Sequence, residues 1–140
     1  MTVTVDDALL DDPTALAARD PGEMLRAVAS APAQLRAAAL RAAEVDLTAL
    51  DESERPRGFV VAGMGGSGVA GDVLSAVAGP GAPVPVVTHR GYLLPGWVGP
   101  ADVVAVTSCS GTTEEALSAF DEAARRGCRL VAVGATDSAL

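Results

Sequence analysis

Two hydrophobic periodicities divide the chain. Between residues 11 and 49, Leu16, Met24, Leu25, Val28, Leu35, Leu40 and Leu47 recur at helical spacings in a background rich in Ala, Leu and Arg. Pro13, Pro21 and Pro32 divide this stretch, each suited to an early helical position after Asp12, Asp20 or Ala31. The pattern predicts three short helices. An acidic, proline-ended stretch over 51–56 reads as a linker. Beyond it the rhythm changes to short β-branched runs separated by glycine-rich turns and helical stretches. That alternation predicts a parallel sheet covered on both faces. The strands are expected at 58–62, 84–88, 103–107 and 130–133, and the helices at 69–78 and 114–126. The segment 91–100, with two prolines and Trp97, reads as a loop. After Gly134 only 135–140 remain, too little for the covering helix and further strands of a doubly wound sheet, so the sheet is expected to be incomplete. The expected division is a helical segment with linker at 1–55 and an α/β domain at 56–140.

Composition narrows the function classes. Hydrophobic residues make up 49% of the 140 and charged ones 20%, which places the chain among globular sequences. The formal net charge is −8, and the ten cations are all arginines with no clustered basic face. Aromatic residues are only 3%, so neither a phosphate-backbone surface nor base-stacking platforms are expected, and nucleic acid is not an expected partner. No apolar run reaches the roughly 20 residues of a membrane span, and Asp6 and Asp7 stand where a signal peptide would carry basic residues. A cytoplasmic location follows as the expectation. Cys109 and Cys128 lack metal-ligand spacing and read as reduced thiols. No metal and no cofactor are expected.

Two loops carry the candidate chemistry. Gly63-Met64-Gly65-Gly66-Ser67-Gly68 follows the first strand and precedes a helix, where free backbone N–H groups and the positive helix end favour an anion. A tight turn without a ligand is the plain alternative, and the spacing also fits the dinucleotide fingerprint. The second loop, from Ser108 to Glu115, again joins a strand to a helix and offers four hydroxyls. Hydroxyls and helix amides can hold a phosphate without a cationic side chain. Simple helix capping by Ser110 explains part of this composition but leaves Ser108 and Thr112 without a role. If the first and third strands are neighbours, both loops face one pocket at the carboxyl edge of the sheet.

At these residues the sequence resembles the sugar isomerase (SIS) superfamily, and within it the bifunctional phosphoglucose/phosphomannose isomerase family. The run G-M-G-G-S-G-x-x-G-D from Gly63 to Asp72 and the pattern S-x-S-G-x-T-x-E from Ser108 to Glu115 carry the likeness, which extends over roughly 57–134. The resemblance implies a doubly wound, SIS-type α/β domain of flavodoxin-like strand order and a sugar-phosphate substrate. It further implies phosphate binding by Ser108, Ser110 and Thr113, with Gly111 and Thr112 adding backbone donors, and a sugar side lined by Gly65, Gly66 and Ser67. It also implies self-association, most simply as a homodimer. Thr112 departs from the family, which commonly has Asn there.

Catalytic residues are not expected in this chain. Aldose–ketose isomerisation requires a base that shuttles a proton through an enediol and an acid that opens the ring. By the resemblance, the glutamate and histidine that do this belong to parts of the fold beyond Leu140 and carry over to no position here. His89 is the sole histidine and is expected after the second strand. Glu114 and Glu115 read as first-turn acids, and Cys109 has no evident partner base. Two other functions stay open. A non-catalytic sugar-phosphate sensor or pairing subunit needs only the loops. A Rossmann-type oxidoreductase lacks the ribose-binding acid after the second strand, although Arg90 could hold an NADP phosphate.

Overall fold

The computed structural model describes residues 7–48, 50 and 55–140. The chain forms two compact units, Met1–Asp46 and Leu47–Leu140. In the first, helix α1 (Pro13–Ala18) is capped by Asp12, whose carboxylate accepts from the amides of Thr14 at 2.9 Å and Ala15 at 3.1 Å. Helix α2 (Met24–Ala42) follows a turn containing Pro21 and Gly22. Its first amides, Met24 and Leu25, donate to the Asp20 carboxylate, each at 2.8 Å.

The expected break at Pro32 is corrected, because α2 runs straight through it. Proline opens a helix where a preceding side chain can cap the free amides. Asp12 does so for Pro13, whereas Pro21 lies in the turn before α2 and not, as expected, in the helix, with Asp20 accepting from the first helical amides. Ala31 has nothing to cap with, and alanine-rich flanks carry the helix across Pro32. The expected linker falls largely on residues outside those described.

The second unit is a four-stranded, all-parallel sheet made of β1 (Phe59–Ala62), β2 (Val86–His89), β3 (Val103–Ser108) and β4 (Arg129–Gly134), in the order β2-β1-β3-β4. This is the expected doubly wound arrangement. The chain moves from β1 to β2 in one direction and from β3 to β4 in the other. Right-handed crossovers then place the connecting helices α3 (Gly65–Ala78) and α4 (Glu114–Arg125) on opposite faces. Alternation along the strands agrees. Val60, Ala62, Val104 and Val106 pack with Ala116, Ala119 and Ala123 of α4. Val61 and Thr88 lie instead against Gly71 of α3. β1 and β3 are central and almost wholly buried, which is why they read as continuous apolar runs.

Each element of this unit differs from the sequence reading at a boundary: β1, β3 and α4 by one residue, and β2, α3 and β4 by more. β2 begins at Val86 because Pro83 and Pro85 have no amide to give a ladder, and it ends on His89, which is thus in the strand and not after it. α3 begins at Gly65 and takes in the glycine run read as a loop. Glycine is a poor helix former, but Gly68 and Gly71 are buried, and a Cβ on them would lie 2.6 Å from the Gly63 carbonyl oxygen and 2.5 Å from Thr88 Oγ1. Close helix-to-sheet approach outweighs propensity here. β4 extends one residue further at each end than expected.

The 91–100 segment has no helix or strand and lies on the α4 side of the sheet. Its Leu94 and Val98 enter the core, and Arg126 donates to the carbonyls of Leu94, Pro95 and Val98 at 3.2, 2.7 and 3.0 Å. At the amino edge of the sheet, Asp102 is fully buried and accepts from Arg57 Nε at 3.1 Å, Arg57 Nη2 at 2.6 Å and the Gly99 amide at 2.9 Å. Burial alone would raise the Asp102 pKa, but the Arg57 hydrogen bonds, the Gly99 amide and the Arg57 charge hold it below the ordinary carboxylate range.

Candidate functional site

Because β1 and β3 are neighbours, the two candidate loops leave the same edge of the sheet side by side. They are in direct contact. The Thr107 hydroxyl donates to the Ser67 carbonyl at 2.9 Å, and the Cys109 amide donates to Ser67 Oγ at 3.2 Å. The approach is so close that a Cβ on Gly63 would lie 2.3 Å from Thr107 Oγ1. Gly65 has φ +51°, the left-handed region in which glycine is at ease.

Gly66 differs from its neighbours. It has no positive φ, and a Cβ there would meet no heavy atom within 4 Å. Packing does not require its bare backbone, and it is exposed on the first turn of α3.

In the second loop, Ser108 is buried and works inside the loop: its Oγ accepts from the Gly111 amide at 3.0 Å and pairs with Thr113 Oγ1 at 3.0 Å. Ser110 is exposed, and its Oγ accepts from the Thr112 amide at 3.3 Å and the Thr112 hydroxyl at 3.1 Å. The capping reading is corrected here. The N-cap position of α4 is Thr113, not Ser110, and no side chain caps the helix, since the Thr113 hydroxyl is turned to Ser108. Helix α3 likewise starts without a side-chain cap, on Met64. Two helix starts with uncapped amides therefore open on adjacent strands. Such ends carry partial positive charge.

A cleft of about 690 Å³ lies where the loops meet. Of the expected site residues it is lined by Gly66, Ser67 and Ser108; Gly65, Ser110, Gly111, Thr112 and Thr113 do not line it. Val133, Gly134 and Ala135, at the end of β4, line its far side and were not expected. Only the topology finds them, since β4 pairs with β3 and Gly134 stands opposite Ser108. Beyond β4 the chain folds back on the second loop, with the Leu140 amide donating to the Gly111 carbonyl at 3.0 Å. Gly111 has φ +66°, and a Cβ there would lie 2.0 Å from Ser138 Oγ. A smaller hollow of about 300 Å³ sits among Ser75, Pro83 and Pro85 and touches none of the candidate residues.

Of the remaining candidates, His89, Arg90 and Asp72 stand apart from the cleft lining, whereas Cys109 is part of it. His89 Nε2 is buried without a hydrogen-bond partner, and the ring lies against Gly91. Arg90 pairs with Asp72, and its guanidinium runs along Gly68. The Arg90 hydrogen bond, aided by Thr88, keeps the Asp72 carboxyl below its usual range. Cys109 is exposed at the cleft, whereas Cys128 is buried, where desolvation raises the pKa of its thiol. Among the described residues, no group of three His, Cys, Asp or Glu side chains is arranged to hold a metal ion, and no helix is long and apolar enough to cross a membrane.

About half of the chain matches curated bifunctional phosphoglucose/phosphomannose isomerases. The protein of that name from Caldicellulosiruptor bescii is 36% identical over 74 residues, covering 53% of this chain and 22% of the relative. Those from Thermoplasma acidophilum and Thermoplasma volcanium are 43% and 38% identical over 76 and 75 residues, covering 54% of this chain and 23% and 24% of the relatives. The match thus spans under a quarter of the length of each relative. No family model matches, and no solved structure matches.

Proposed function

We propose that the unit holding the sheet binds an aldose or ketose phosphate, as the phosphate-holding half of a phosphoglucose/phosphomannose isomerase-like protein. The observation that carries this reading is that two strand-to-helix loops, each leading into a helix without a side-chain cap, are joined through Ser67, Thr107 and Cys109 at the carboxyl edge of the sheet, beside a cleft lined by Gly66, Ser67 and Ser108. The phosphate is assigned to the Ser110, Gly111, Thr112 and Thr113 side, with Ser108 shaping the loop from within. Gly65, Gly66 and Ser67 form the sugar side. The partial match to the isomerases supports the substrate class. The proposal extends to an SIS-type domain over 56–140, a cytoplasmic location and a homodimer. Exposed Val69, Val73 and Val77 at four-residue spacing along α3 offer an apolar stripe for the last.

Binding is the activity assigned to this chain. Isomerisation also needs a base and a ring-opening acid, and the cleft lining supplies neither. The NADP alternative is disfavoured because Arg90, its prospective phosphate ligand, is engaged with Asp72.

The test is thermal unfolding of the chain and of its Ser110→Ala variant with glucose 6-phosphate, fructose 6-phosphate, mannose 6-phosphate, inorganic phosphate and NADP. At a hundredfold excess over Kd, a specific ligand stabilises by about 2.7 kcal/mol, a shift of several degrees. Sugar phosphates should raise the midpoint of the parent chain and do so weakly in the variant. They should also slow alkylation of Cys109. A shift with NADP alone, or equal shifts in both proteins, would overturn the reading.

A further inference from the structure

The start of the 91–100 segment, which is bonded to the first turns of α4, carries an arrangement that apolar burial does not explain. Tyr92 is 58% exposed, yet its phenol donates to Glu114 Oε2 at 3.1 Å. Glu114 is the first residue of α4, directly after Thr113, so its carboxylate belongs to the same helix end as the phosphate loop. The backbone that presents Tyr92 is strained. Leu93 has φ +58°, a region that branched side chains avoid, and is held there by its amide donating to Ser118 Oγ at 3.1 Å. The Arg126 bonds to Leu94, Pro95 and Val98 then fix the rest of the segment along α4.

A carboxylate at a helix start is favourable to the helix but unfavourable to a phosphate dianion arriving at the same amides, because the two compete for one positive end and repel each other. We propose that Tyr92 is a positioning residue that tethers the Glu114 carboxylate away from the phosphate loop, so that the anion reaches the α4 amides without a competing charge. This rests on the sugar-phosphate reading above. The hydrogen bond to Glu114, with the charges of Glu115 and Glu114, raises the Tyr92 pKa, so the phenol remains a donor throughout the neutral range.

The test compares the parent chain with Tyr92→Phe, Glu114→Gln and the double variant by calorimetric titration of glucose 6-phosphate and inorganic phosphate at low ionic strength. Tyr92→Phe, which loses only a hydroxyl from an exposed ring, should weaken both ligands by about three- to tenfold. Glu114→Gln should bind at least as tightly as the parent. The double variant should recover the parent affinity, and the loss in Tyr92→Phe should shrink at high salt. Recovery on removing the charge is not expected of a purely structural tyrosine. If the parent binds and Tyr92→Phe binds equally well, or the double variant stays as weak as Tyr92→Phe, this inference is overturned while the sugar-phosphate reading stands. If the parent binds neither ligand, both fall.

Discussion

Gly66→Ala separates the architecture from the proposed function, because the two make opposite demands on that position. A Cβ at residue 66 meets nothing within 4 Å, and the backbone there needs no positive φ. Replacing a helical glycine by alanine where the conformation is compatible stabilises by about 0.5–1 kcal/mol, chiefly by restricting the unfolded chain. For a domain of this size that corresponds to roughly 2–8 °C in Tm. The same methyl group would stand on a residue that lines the cleft, where by the proposed function a sugar phosphate approaches the amides of the first turn of α3. Binding should weaken by about tenfold, or about 1.4 kcal/mol. The control is Gly68→Ala, whose Cβ would lie 2.6 Å from the Gly63 carbonyl and 2.8 Å from Arg90 Nε. Overpacking against backbone should destabilise it by about 1–3 kcal/mol. Far-UV circular dichroism melts and a glucose 6-phosphate titration read both quantities. A lower Tm for Gly66→Ala would refute the packing argument, and unchanged affinity would refute the placement of the ligand.

Other expected outcomes concern the scaffold. Asp102→Asn should cost about 2–4 kcal/mol in urea unfolding, less than a fully buried pair, because Arg57 is 58% exposed and can be rehydrated. Since the folded-state pKa of Asp102 lies below its unfolded value, its contribution is complete above about pH 5 and is lost as the pH falls through the folded value; the Asn variant should therefore show a flatter stability profile below about pH 4. Gly111→Ala combines a left-handed φ of +66° with a collision at Ser138, so it should lose about 1–3 kcal/mol and, unlike Gly66→Ala, lose stability and phosphate binding together.

The parts of this fold that could be read from the chain are those in which local pattern and tertiary role coincide. β1 and β3 are buried on both faces, so their apolar runs are unbroken, and the hydroxyl-rich turn after β3 lies where a strand hands over to a helix. What escaped reading depends on partners distant in sequence. Gly68 and Gly71 of α3 read against a helix until Arg90, Val61 and Thr88 are brought against them, and only then is their absence of side chains a packing requirement. The passage of α2 through Pro32 turns on the lack of a capping side chain at Ala31, a weaker signal than the proline itself. Val133 to Ala135 carry no chemical signature and reach the cleft solely through the β3–β4 register.

Two features of the paired loops run against local stability rules, and a ligand reconciles them. A sequence with hydroxyls on hand at Ser108, Ser110, Thr112 and Thr113 still leaves α4 without a side-chain cap, although such a cap is worth about 1 kcal/mol. Glycine at 66 likewise forgoes a helix-favouring methyl that nothing obstructs. Departures of this kind tend to mark functional positions in otherwise consistent sequences. An anion seated between the two helix starts would satisfy the uncapped amides and would need the space that a side chain at 66 would fill. It would do so without a cationic side chain, as suits a chain of net charge −8 in which Arg90, lying along Gly68, is committed to Asp72. On this argument the missing cap and the bare glycine are one feature, and substitutions that repair either should raise stability and lower affinity together.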